Sequence, residues 1–132
     1  MFKSIGKLVY SPKTHLASSD NWIVLMCDDE ISRYYISLYE KQYIFKNGEY
    51  NKKLKRPVWG AHISVVRGEI FDKKLFKNKN NIINFEYEPG IIDNKEYFWM
   101  KVYSKELIEF RKSLNLSPEP KFGFHLTIGR TI

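Results

Sequence analysis

Two nine-residue stretches decide how this chain is read: Trp59-Gly60-Ala61-His62-Ile63-Ser64-Val65-Val66-Arg67 and Phe122-Gly123-Phe124-His125-Leu126-Thr127-Ile128-Gly129-Arg130. Both run aromatic, Gly, any residue, His, aliphatic, hydroxyl, aliphatic, any residue, Arg, and the two histidines stand 63 residues apart. Side chains alternate between faces along a strand, so His62 and Ser64 share one face while Ile63 and Val65 share the other. The same split sets His125 with Thr127, opposite Leu126 and Ile128. Gly60 and Gly123 fall just upstream on the His face, where a missing side chain leaves room for a ligand. Strict alternation sends Trp59, Arg67 and Arg130 to the apolar face. Trp59 is therefore expected in the core, and the two arginines are expected to pair with acidic residues or cap strand ends.

Outward from these stretches the chain repeats itself. Residues 22–67 run apolar strand, helix, polar break and His-bearing strand, and residues 97–131 run through the same series. In the first half, Trp22–Cys27 is a short apolar run, Asp28, Asp29 and Glu30 supply an acidic helix start, and Ile31, Tyr34, Tyr35 and Leu38 recur at helical spacing. That helix is predicted to end near 44–47, with Gly48 as a stop. In the second half, Tyr97–Tyr103 reads as a strand, and Ser104 is a helix N-cap ahead of Leu107, Phe110 and Leu114. Ser117-Pro118-Glu119-Pro120 breaks that helix. The motif strands are predicted over 58–67 and 122–131. Residues 3–10 and 82–87 read as further strands, and the Lys- and Asn-rich 72–81 as a surface loop. The whole is one domain over 1–132, its halves near 1–70 and 82–132. Equivalent strands are expected to meet at a shared cleft about a pseudo-two-fold axis.

Two histidines on one cleft suit phosphodiester chemistry. An imidazole ordinarily titrates near ~6.5, so one ring can take a proton from the attacking oxygen while the other gives one to the leaving oxygen. The Ser64 and Thr127 hydroxyls can hydrogen-bond the non-bridging phosphate oxygens, whose charge must be held in the transition state. The chain has three histidines and one cysteine, in no metal-ligand spacing, and no metal or cofactor is expected. His15 lies in a polar loop outside the repeated frame and reads as a surface residue. Cys27 has no neighbouring His and does not read as a nucleophile.

The paired motifs resemble those of the 2H phosphoesterase superfamily, in which two H-x-T/S motifs come from two pseudo-symmetric lobes. The stretch Arg56-Pro57-Val58-Trp59-Gly60-Ala61-His62-Ile63-Ser64-Val65-Val66-Arg67-Gly68-Glu69 is similar to the branch called swiss-army-knife 2H domains, related to phage anti-CBASS nucleases that degrade cyclic oligonucleotide signals. The first hydroxyl is Ser rather than the commoner Thr, and either donates the same hydrogen bond. The resemblance implies an α+β fold of two pseudo-symmetric lobes, antiparallel sheets around a concave cleft with helices outside. It implies His62, Ser64, His125 and Thr127 as catalytic residues, and a nucleotide or RNA-like phosphodiester as substrate.

Flanking residues add candidates for substrate binding. Tyr10 ends an early strand and could stack on a base. Lys52, Lys53, Lys55 and Arg56 form a basic run beside the first motif, with Lys55 and Arg56 placed to steer phosphate. Trp59, Phe122 and Phe124 could stack on bases too, against core packing as the alternative. Glu69 is expected to serve an arginine. The formal net charge of +7 favours an anionic partner. No apolar run is long enough to span a bilayer, and Met1–Lys7 does not read as a signal peptide. A lone cysteine forms no internal disulfide, which favours a reducing cytoplasmic setting, of the cell or of an infected host. No obligate protein partner is evident. The leading reading is a metal-independent phosphodiesterase that cleaves 3′–5′ bonds, cyclic oligonucleotides among the substrates. The alternatives are a 2′,3′-cyclic phosphodiesterase and a 2H module that binds nucleotide without turnover.

Overall fold

The computed structural model describes residues 1–10, 21–47, 53–76 and 82–131. The elements are β1 (Phe2–Tyr10), β2 (Trp22–Cys27), α1 (Asp29–Asn47), β3 (Leu54–Lys55), β4 (His62–Arg67), β5 (Ile82–Tyr87), β6 (Ile92–Asp93), β7 (Tyr97–Tyr103), α2 (Lys105–Ser113) and β8 (His125–Thr131), with a 3-10 turn at Lys73–Leu75. His15, Lys52, Gly48 and the 77–81 part of the expected surface loop lie outside the described residues. No helix among the described residues is long and apolar enough to cross a membrane.

The sheet runs β3-β8-β4-β2-β1-β5-β7-β6, antiparallel throughout, and β8 also pairs with β7. Strands β8, β4, β2, β1, β5 and β7 therefore close into a six-stranded barrel. This corrects the expectation of two lobes of sheet around a concave cleft. The motif strands do not stand apart on separate lobes. They pair directly, His62 with Thr127 and Ile63 with Leu126. The second seam joins Glu86 to Tyr103 and Tyr87 to Val102. The physical reason is that a half-chain sheet leaves strand edges with unpaired N–H and C=O groups, and closure pairs them. Where β5 leaves β7, the start of α2 takes over. Ser104 Oγ donates to the Asn84 carbonyl at 2.7 Å, and Glu106 accepts from Asn84 N at 2.8 Å and Nδ2 at 3.0 Å.

The repeat survives within the barrel as β2–α1–β4 and β7–α2–β8, and extends upstream of the quoted motifs. Each motif strand starts from a tight turn, Pro57–Gly60 and Pro120–Gly123, closed by a Gly N–H to Pro carbonyl bond of 2.9 Å. Gly60 and Gly123 have φ of +67° and +74°, a conformation that side chains resist. The turns shorten the expected strands, which begin at His62 and His125 rather than at 58 and 122. Cys27 N donates to the Ala61 carbonyl, and Val102 N to the Phe124 carbonyl, at matching positions.

The apolar face of the sheet, with Leu8, Leu25, Ile63, Phe98, Met100 and Leu126, packs against Tyr35 of α1 and Leu107 of α2. Tyr39 meets Phe98 edge-on at 4.9 Å. On α1 Ile31, Tyr35 and Leu38 pack on the core as expected, but Tyr34 is 62% exposed and Ser32 is fully buried. On α2 the predicted stripe holds, with Ser104 accepting from Leu107 N at 3.1 Å as N-cap. Arg111 is also fully buried there. It makes a two-pronged ion pair with Glu69 at 2.7 and 2.8 Å, so Glu69 does serve an arginine.

Candidate active site

Cross-strand partners in an antiparallel sheet show their side chains on the same face. Following the register gives a row Lys7, Met26, His62, Thr127, Trp99 across β1, β2, β4, β8 and β7. Val24 stands opposite Ser64, and Lys101 opposite His125, on that same face. Since His62 faces Thr127, His125 is its diagonal neighbour, a relation that ordinarily sets residues about 7–8 Å apart, with the Cβ atoms somewhat closer. All four motif residues thus lie on one face of one strand pair.

Each motif strand carries a β-bulge just after its hydroxyl residue. Val24 faces Ser64 and Ile23 faces Val66, which leaves Val65 as the extra residue. Trp99 faces Thr127 and Phe98 faces Gly129, which leaves Ile128. An extra residue reverses the alternation beyond it. Arg67, opposite Trp22, and Arg130, opposite Tyr97, therefore lie on the His face. This corrects the expectation that both arginines go to the apolar face. The bulge carbonyls are held crosswise: Ser32 of α1 donates to the Ile128 carbonyl, and Arg111 of α2 to the Val65 carbonyl at 2.7 Å.

His62 is only 8% exposed. Its Nδ1 lies 2.8 Å from the Gly60 carbonyl, so Nδ1 carries the hydrogen and Nε2 the lone pair. Burial pulls its pKa down and the Arg67 charge pulls the same way, against the Gly60 bond. The Trp59 ring stands edge-on to His62 at 5.3 Å, Trp22 stands edge-on to Trp59 at 5.4 Å, and Arg67 lies over Trp22 at 5.2 Å. Trp59 is thus a neighbour of His62 rather than a core residue on the opposite face. It sits in the turn before β4, where strand alternation does not apply.

His125 is half-buried, with Trp99 tilted over it at 5.3 Å. Burial lowers its pKa, and Lys101 lowers it further. Two buried N–H donors of this region, Trp59 Nε1 and Arg130 Nε, find no hydrogen-bond partner among the described residues. A buried donor without an acceptor is costly, and an anionic ligand is one way to satisfy it.

The flanking candidates divide. Lys55 is exposed and faces Arg130, adding a second cation at that level. Arg56 is committed elsewhere. It pairs with Asp29, whose other oxygen accepts from Ala61 N at 3.2 Å, so it braces the turn beneath His62. Tyr10 faces Ile23 on the apolar side of the sheet and packs on Phe71 and Phe76 at 6.2 and 5.8 Å. Tyr10 therefore lies on the face away from the histidines, and Arg56 is held by Asp29. Phe124 is buried in the core, whereas Phe122 is 75% exposed beside the second motif, under the Lys121 ammonium. Trp22, Trp99 and Lys101 are the site residues that motif reading missed. They lie on partner strands, and only register reveals them. No family model matches the chain, and comparison with curated proteins and with solved structures gives no match either.

Proposed function

We propose that the chain is a metal-independent phosphodiesterase acting on RNA-like 3′–5′ bonds, cyclic oligonucleotides among the candidate substrates. The observation that carries this reading is the pairing of two His-x-hydroxyl motifs on one sheet face, with an arginine brought beside each by matching bulges.

His62 fits the general base. Its Nδ1 hydrogen is held by Gly60, which leaves the Nε2 lone pair to take the proton of a ribose 2′-OH. The 2′-oxygen bonds to phosphorus, and the bond from phosphorus to the 5′-oxygen breaks. His125, the more exposed ring, fits the acid that protonates the leaving oxygen. A phosphodiester anion beside it raises its proton affinity again, which offsets the effects of burial and of Lys101. Ser64, Thr127, Arg67 and Arg130 supply donors for the non-bridging oxygens. The product is a 2′,3′-cyclic phosphate and a free 5′-OH. The single cysteine forms no internal disulfide, which favours a reducing compartment.

The test is a product-resolved assay in excess EDTA against linear and cyclic 3′–5′ oligonucleotides, their 2′-deoxy analogues and a 2′,3′-cyclic mononucleotide. Cleavage of the ribo-oligonucleotides to 2′,3′-cyclic ends, with the deoxy analogues bound but intact, is the expected result. Opening of the cyclic mononucleotide alone would replace it with the cyclic phosphodiesterase reading. Activity that depends on a divalent metal would overturn it.

A further inference from the structure

We infer that Arg111 is a positioning residue that holds the two histidine motifs in register with each other. The inference rests on the phosphodiesterase reading for its consequence, and on geometry for its substance. Arg111 is fully buried near the end of α2, and every N–H of its guanidinium is engaged. Nη1 donates to the Val65 carbonyl and Glu69 Oε1, both at 2.7 Å. Nη2 donates to Glu69 Oε2 at 2.8 Å and Ser117 Oγ at 3.1 Å, and Nε to the Ser117 carbonyl at 2.8 Å. With no free donor it has nothing to offer a ligand.

What it joins is informative. Val65 is the bulge residue of the first motif strand, and Glu69 follows that strand's end. Ser117 belongs to the segment that runs through Glu119 into the Pro120–Gly123 turn, from which His125 starts. One side chain therefore ties the bulge that turns Arg67 to the His face to the approach of the second histidine. The planar fork matters, because a lysine carries the charge but cannot make parallel bonds to Glu69 while reaching Val65 and Ser117. Loosening the bulge releases Arg67 from the His face, and the site loses one phosphate donor.

The experiment compares wild type, Arg111→Lys, Arg67→Gln and the double variant. Binding of a 2′-deoxy dinucleoside monophosphate is measured, with the imidazole titrations of His62 and His125 followed by NMR. Arg111→Lys is expected to keep a cooperative thermal melt, weaken the probe about tenfold, as loss of one charge-assisted hydrogen bond would, and move the His62 titration upward. Arg67 is the charge it frees. Arg67 stands opposite Trp22, outside the register row of His62, and the cation within that row is Lys7, one strand beyond Met26. In the Arg67→Gln background, Arg111→Lys should add less loss than it causes alone, the remainder coming through the Ser117 arm. Additive losses, or a folded Arg111→Lys with wild-type affinity and titrations, would overturn the proposal. Should Arg111→Lys fail to fold, Glu69→Gln and Ser117→Ala each cut one arm. The first is expected to move His62 and the second His125, and no shift in either would again overturn it. A wild-type chain that cleaves no phosphodiester tells against the functional reading alone, because the titrations still read the positioning.

Discussion

His62 and Thr127 are direct cross-strand partners, so the histidine of one motif stands beside the hydroxyl of the other. The two motifs interleave across a single antiparallel pair. On the proposed mechanism, in which each histidine carries one half of the proton traffic, replacing either with Ala should remove most activity. Thr127→Ala and Ser64→Ala should each cost roughly 2–4 kcal/mol of transition-state stabilisation, read as a fall in kcat with a normal thermal melt.

The pH profile should be bell-shaped and displaced to the acid side of the ordinary imidazole value. Both rings titrate low, His62 through burial and Arg67, His125 through burial and Lys101. Activity falls on the acid limb as His62 gains a proton and can no longer accept one. It falls on the alkaline limb as His125 loses its proton. Measurement of kcat/KM against pH checks this, and a free-enzyme optimum well above ~7 would contradict it.

The same shifts govern stability with pH. A histidine whose folded pKa is depressed leaves the unfolded chain binding more protons just below ~6.5, so stability falls as pH drops from there to the folded value. Glu69, held low first by its hydrogen bond to Arg111, keeps its contribution above the usual glutamate value and loses it as pH falls through its folded pKa. Denaturant midpoints should therefore decline in two stages on acidification. His62→Gln should remove part of the upper stage.

Arg130→Ala should weaken an oligonucleotide ligand by about 1.5–3 kcal/mol if its unpartnered Nε meets a phosphate. It should also reduce the salt slope of binding by about one. Arg56→Ala should leave that slope nearly unchanged, because its guanidinium is committed to Asp29. Titration at several ionic strengths separates the two.

The two motif glycines should differ in what they tolerate. Both require a positive φ, which costs an alanine about 1–2 kcal/mol. A Cβ at Gly60 would also meet Asp29 Oδ1 at 2.8 Å, whereas one at Gly123 meets nothing within 4 Å. Gly60→Ala should be the more destabilising, and should disturb His62, which is bonded to the Gly60 carbonyl. Thermal melts of the two variants decide it.

The six longer strands, both helices and the motif pair were legible in the sequence, whereas the two-residue strands β3 and β6 were not. A period of two sets His62 with Ser64 and His125 with Thr127, the repeat marked the two strands as equivalents, and Ser104 and the acidic first turn marked the helix starts. These are local properties, written in spacing and side-chain type. Only the tertiary structure decided the closure of the six strands, the residues beside the motifs and the fate of the arginines. Register is a relation between distant strands, so Trp22, Trp99 and Lys101 carry no local mark of their place. A bulge needs a partner strand to be counted against, and a single extra residue at Val65 or Ile128 moves Arg67 or Arg130 from one face to the other. Arg111 looks in sequence like any cation in a helix's last turn. Its burial against Glu69, Val65 and Ser117 exists only once α2 has packed on the sheet.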